Sequence, residues 1–264
     1  MIAAQTDLSV LGSSFENILP TVHSYCSTIL TSIVRPVGYA ILALFFLMEL
    51  YHASQRIDAL GGGNQMGVMM IVKVLIKIVL CKMLLDYTPE ILGLIYDIAT
   101  SITLAISDLL GSAETVAAID EAVFRAELEA QGFWSNLFSG IIILIAFITF
   151  VIAFVLADVV LMARVAELYV LFALSPLPMA TLPSEEHSQI GKNFLKRFAA
   201  VSLQGTVIYV ILALFPAFIT WAIVDSEGVG YTLISLLMLL MYSIVLIVCI
   251  FSSRKWTQVL TGST

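Results

Sequence analysis

Three uninterrupted apolar runs restrict this chain to one class of fold. Residues 133–157 carry no Asp, Glu, Lys or Arg over 25 positions, and residues 199–224 and 228–253 carry none over 26 positions each. Bilayer hydrocarbon is about 30 Å thick and offers the backbone no hydrogen-bond partner, so about 20 such residues form a spanning helix. Strands of a membrane barrel would instead alternate polar and apolar residues over about 10 positions, and no such series is present. Composition agrees: 12% of the 264 residues are charged, against about 25% in a soluble domain. Mean hydropathy is +1.04. The sequence therefore predicts an all-α, polytopic membrane protein with five or six membrane helices and additional amphipathic interfacial helices.

Four consecutive segments are expected. Over 1–34, Leu8, Leu11, Phe15, Ile18, Leu19, Val22, Tyr25 and Ile29 recur at helical spacing between polar residues, the pattern of an amphipathic helix lying on a membrane or a partner. Pro20 is expected to bend it or mark its start. This stretch lacks the basic start, compact apolar core and cleavage site of a signal peptide, so the first span is expected to serve as the insertion signal.

Segment 35–111 holds the first membrane helix, broken by Gly61-Gly62-Gly63-Asn64, and then a charged pair of helices. Asp86, Tyr87 and Thr88 between them read as a hairpin turn. Segment 112–132 is an acidic helix whose Val116, Ile119, Val123, Phe124 and Leu128 form one apolar stripe outside the hydrocarbon. Segment 133–264 contains a long central helix running to Leu174, a Pro-rich break and two C-terminal spans.

Basic residues in short loops stay cytoplasmic. Lys192, Lys196 and Arg197 flank one end of the penultimate span, and Arg254 and Lys255 follow the last. The C-terminus and residues 188–197 are thus expected in the cytoplasm, with Asp225, Glu227 and the 112–131 helix outside. The favoured count is five spans, taking the charged pair as one crossing, which places the N-terminus outside; six would place it inside.

Charges within apolar helices are the candidate functional residues, because each costs roughly 2.5 to 3.5 kcal/mol at mid-membrane and faces a partner or a water-filled cavity. Lys73 and Lys77 share a helix face, and a hairpin turning near Tyr87 brings Lys77 level with Asp97. These three are candidates for an intramembrane charge pair or a pore lining. Asp158, Arg164 and Glu167 form a cluster read as a solvated helix extension past the cytoplasmic interface, within which Arg164 and Glu167 are spaced to pair. Glu49 reads as interfacial. Ser175, Pro176, Pro178 and Pro183 mark a helix break and docking surface.

No nucleophile with a base, phosphate loop, dinucleotide fingerprint or metal spacing occurs. His23, His52 and His187 are isolated, and Cys26, Cys81 and Cys249 make no disulfide framework. An enzyme and a cofactor are not expected, and a net charge of −7 argues against a nucleic-acid surface.

The run from Ala163 through Arg164, Glu167, Tyr169 and Phe172 to Ser175-Pro176-Leu177-Pro178 and Ala180 resembles the segment after the long central helix of TrbL-type polytopic subunits of conjugative type IV secretion systems, the equivalents of the sixth VirB subunit. Met48-Glu49-Leu50-Tyr51 and Ile91-Leu92-Gly93-Leu94-Ile95-Tyr96 look like the smaller versions from Gram-positive conjugative elements. The resemblance implies a multi-pass inner-membrane homo-oligomer embedded in membrane lipid. Its implied partners are other secretion-system subunits, including a cytoplasmic ATPase, and transiently the transferred nucleic acid or protein. A secondary transporter or ion-conducting protein is the competing class; it would show an internal repeat around a mid-membrane site, and the two halves show none. A purely structural anchor is the third.

Overall fold

The computed structural model describes residues 14–59, 64–111, 133–184, 186–224 and 231–262, and among these every regular element is a helix. In chain order they are α1 (Phe15–Ile18), α2 (Pro20–Ile29), a π turn (Leu30–Val34), α3 (Arg35–Ala59), α4 (Asn64–Asp86), α5 (Thr88–Gly111), α6 (Phe133–Leu174), α7 (Pro176–Met179), α8 (Ser188–Val224) and α9 (Tyr231–Thr261). The expected 112–131 helix, the 61–63 glycines and the Asp225 to Glu227 turn lie outside the described residues.

Pro20 occupies the first turn of α2, where its missing N–H costs nothing. The helix then runs without a loop through the π turn into α3, so the described part of the 1–34 segment continues into the first span and is not a separate surface helix. Pro36 explains the local geometry. Inside a helix it lacks a donor and crowds the carbonyl four residues earlier, and a π turn is one of the adjustments that relieve this in apolar helices.

Pro89 acts similarly at the α4–α5 junction, where the structure corrects the expected hairpin turn. Only Tyr87 separates the two helices. Its N–H donates to Met83 O at 2.9 Å, and Ile91 N–H donates to Tyr87 O at 3.0 Å, so the helical ladder passes through the junction. Reversing a helix takes a loop of about two to five residues. The 86–88 junction is therefore a proline kink. The antiparallel pair is α3 with α4: Leu42 packs with Cys81 and Leu85 at one end, and Glu49 meets Lys77 further along.

Among the described residues, five helical stretches are long and apolar enough to cross a membrane: Pro20–Asp58, Thr88–Leu109, Gly140–Leu174, Ser188–Phe215 and Leu240–Thr261. Helix α4 is not one of them; Lys73, Lys77 and Lys82 set it apart. Helix α6, with 42 residues, rises about 63 Å, twice the hydrocarbon thickness.

The chain divides into two compact units. The first comprises the described parts of 100–164 and 204–257, the second those of 13–99, 165–203 and 258–264. Each combines stretches from several of the four consecutive segments read from the sequence. The first unit has a core of Ala153, Ala157, Phe215, Leu246 and Ile250. Alanines one turn apart let the backbones approach closely, which is how helices pack where lipid removes the hydrophobic incentive.

Candidate functional site

In the second unit, α3 and α4 enclose a cleft of about 540 Å³. Glu49, His52, Ala53 and Arg56 enter from one face of α3, at i, i+3, i+4 and i+7. Met70, Lys73, Val74, Lys77 and Leu80 enter from one face of α4, so helical periodicity alone gathers these groups. Lys77 Nζ lies 3.4 Å from Glu49 Oε1, with the two side chains 36% and 10% exposed. The sequence reading set Lys77 opposite Asp97. With no reversal at Tyr87, the 20 positions between those residues amount to about 30 Å of helical rise, and the lysine's ion pair is with α3. Asp97 is exposed on α5. Glu49 is the residue that sequence reasoning undervalued; a lone carboxylate ending the uncharged stretch 36–48 was the available signal.

The first unit contains a seam of buried polar groups. Thr103 and Thr206 hydroxyls lie 2.8 Å apart, and the Gln204 carboxamide donates to Ser253 Oγ at 3.4 Å. Ser253 Oγ in turn donates to Ile250 O at 2.7 Å. Arg164 is 5% exposed, and its guanidinium lies where a Cβ at Gly205 would be. The solvated extension expected for this residue is thus corrected: a glycine leaves room to take the cation inside. Asp158 is exposed. In the second unit, Glu167 accepts from Arg197 Nη2 at 2.9 Å, an ion pair with α8.

The 175–183 break is buried against the rest of its own unit. Ser175 is fully buried and its hydroxyl donates to Phe172 O at 2.7 Å. Pro176 packs so closely on α3 that a Cβ at Gly38 would lie 3.1 Å from its Cβ. A Cβ at Gly191 would lie 2.8 Å from Pro178 O. Pro183 is also buried. What the sequence marked as a docking surface is occupied by the chain's own α3 and α8.

Phe15, 3% exposed, sits among Tyr96, Tyr169 and Phe172 with ring centroids 5.0 to 5.3 Å away. His23 and Phe198 flank it. Tyr169 fixes the backbone, donating to Phe15 O at 3.1 Å and accepting from Leu19 N–H at 3.3 Å. The sequence showed Phe15 as one member of an apolar stripe; nothing in it distinguished lipid from five rings as the neighbour.

This arrangement is one of helices held by interior polar and aromatic contacts, with cationic and polar groups in a cleft and a seam. Comparison with curated proteins gives no match, and neither does comparison with solved structures. The family model for TrbL/VirB6 plasmid conjugal transfer-like proteins matches residues 8–176. That match covers Phe15, His23, Tyr96, Tyr169 and Phe172 of the aromatic cluster, the α3–α4 cleft, the long α6 and the start of the proline break. With well over half of its length matched, the chain belongs to the TrbL/VirB6 conjugal transfer family, as a helical membrane component.

Proposed function

We propose that this protein is an oligomeric channel or scaffold subunit in the cytoplasmic membrane, helping to pass DNA or protein substrate from a cytoplasmic ATPase to the outer parts of a conjugative type IV secretion machine. The family match over residues 8–176 carries this reading. The buried polar seam of the first unit supports it, since Arg164, Gln204 and the hydroxyls of Thr103, Thr206 and Ser253 are costly in an apolar bundle unless they join helices or line a path. The C-terminus is cytoplasmic in this proposal, on the strength of Lys192, Lys196, Arg197, Arg254 and Lys255.

Deleting the gene from its conjugative element should abolish DNA transfer while leaving growth and solute uptake unchanged. Transfer at the normal rate would refute the assignment. A Ser188→Cys variant should resist an impermeant thiol reagent in intact cells and react after permeabilisation; labelling in intact cells would reverse the orientation.

A further inference from the structure

In the second unit, α5 and α8 both start at the proline break. A Cβ at Gly38 would meet both Pro176 and Leu85, which precedes α5, and one at Gly191, in the first turn of α8, would meet Pro178 O. Both helices then reach the aromatic cluster, where Tyr96 of α5 and Phe198 of α8 stand 5.3 and 6.5 Å from the Phe15 ring. They therefore run parallel. Glu90 lies six positions before Tyr96, and Lys192 six before Phe198, so each charge sits about 9 Å from its aromatic side chain along the helix. The two are level. Six residues also turn a helix by about 240°. Applied in the same sense to two side chains that both point at Phe15, this rotation carries the charges outward to separate flanks. Glu90, Lys192 and Lys196, one turn further along α8, are accordingly exposed, and among the described residues none of the three has a hydrogen bond or an ion pair.

The two flanks match in chemistry. On α5, Leu94 and Ile98 follow Glu90 at helical spacing, 62% and 60% exposed. On α8, half-buried Leu195 and Ala199 lie beside the two lysines. Each flank is thus an apolar strip carrying charge of one sign, on a helix long enough to cross the membrane. Lipid chains would cover the strip and leave the charge; a small ion would do the reverse. A second copy of this chain offers the complementary flank.

We propose that in the oligomer put forward above α5 of one copy packs against α8 of the next, with Glu90 held by Lys192 and Lys196 and the apolar strips beside them in contact. Copies related by an axis along the membrane normal keep each residue at its depth, so charges that meet between copies must be level within one. Glu90 and Lys192 meet that condition. Because the flanks differ, the contact is head-to-tail, and such contacts close into a symmetric assembly when the rotation between copies divides a full turn. The proposal rests on the oligomeric reading and adds the faces and charges that build it.

To test it, full-length Glu90→Cys and Lys192→Cys chains are expressed together in membranes and oxidised, with the unaltered chain and its own Cys26, Cys81 and Cys249 as background. The mixture should give a covalent dimer and each variant alone none, while one chain carrying both substitutions should give a ladder of higher species. Native mass spectrometry in mild detergent reads the charges: Glu90→Lys should weaken assembly at least about tenfold, and adding Lys192→Glu should recover most of it. An oligomer that forms without the 90-to-192 cross-link, or that persists in Glu90→Lys, would overturn this contact and leave the oligomeric reading standing. So would cross-linking of Glu90→Cys to itself, which marks a two-fold contact. An unaltered chain that is monomeric both in membranes and in detergent would overturn both. If Glu90→Lys does not fold, the cross-links and Glu90→Gln, which should also weaken assembly, decide the matter.

Discussion

Helices of the first unit meet over alanines, a glycine and small hydroxyls; those of the second meet over aromatic rings and ion pairs. Ala153 and Ala157 pack with Phe215, Leu246 and Ile250, and the Thr103–Thr206 and Gln204–Ser253 contacts cross between helices. The second unit relies on the box around Phe15, the Glu49–Lys77 and Glu167–Arg197 pairs, and a proline break pressed onto Gly38. Lipid supplies no hydrophobic drive for helices to associate, so close packing and polar contacts must do it. The first unit spreads that task over many small contacts. The second concentrates it in a few large side chains, and so should be the easier of the two to break with one substitution.

The largest effect is expected at Phe15. Truncation to alanine empties a site bounded by Tyr96, Tyr169 and Phe172, a loss of about 3 to 5 kcal/mol for a buried aromatic residue. Thermal unfolding of the detergent-solubilised protein should show a large fall in Tm for Phe15→Ala and a smaller one for Phe15→Leu. Equal melting of Phe15→Ala and wild type would mean that the start of the chain does not help to hold the second unit.

A middle-sized effect belongs to the first unit. Gly205→Ala places a methyl group where the Arg164 guanidinium lies, and overpacking of this kind costs about 1 to 3 kcal/mol. Gly93, whose added Cβ would meet nothing within 4 Å, supplies the control: Gly93→Ala should melt like wild type or slightly above. Adding Arg164→Met to Gly205→Ala should restore part of the loss. If it restores none, contact with the arginine is not why position 205 is a glycine.

The smallest effect sharpens the contrast. Thr103→Val keeps the shape of the side chain and removes one partner of the 2.8 Å contact with Thr206. Interhelical hydrogen bonds in membrane proteins average about 0.6 kcal/mol, so the change in Tm should be only just resolvable. The double variant with Thr206→Val should cost no more than Thr103→Val alone. A collapse of the fold on Thr103→Val would show that the seam acts as one cooperative network.

Particular residues show how far the sequence could be read. Helical class and the apolar spans were plain because lipid admits only backbones that satisfy their own hydrogen bonds, and this leaves its mark as long uncharged runs. Two prolines divided the outcome. The 175–178 break was legible because Pro176 and Pro178 lie two apart and end a regular helix. At Pro89 the preceding Asp86, Tyr87 and Thr88 were misread as a hairpin turn, since a short polar cluster before a proline has the same local text whether the helix kinks or reverses. From that one error came the wrong partner for Lys77: charges can be located along a helix from sequence, but opposing them needs the direction of the next one. Arg164 was misplaced for a related reason. Its burial depends on the missing Cβ of Gly205, 41 positions later.

By itself, then, the sequence determined the solvent, the helices and the family. The resemblance was carried by the order of apolar spans and the 163–180 run, and the match over residues 8–176 bears it out. Tertiary structure decided which polar group meets which: Lys77 with Glu49, Arg197 with Glu167, Arg164 over Gly205, Phe15 among five rings. The physical reason is one of range. Periodicity and hydropathy are properties of neighbours along the chain, fixed by 3.6 residues per turn and by the thickness of the bilayer. Pairing between helices turns on contacts of a few ångströms between residues as much as 154 positions apart or more, as Phe15 and Tyr169 are, and no local pattern encodes them.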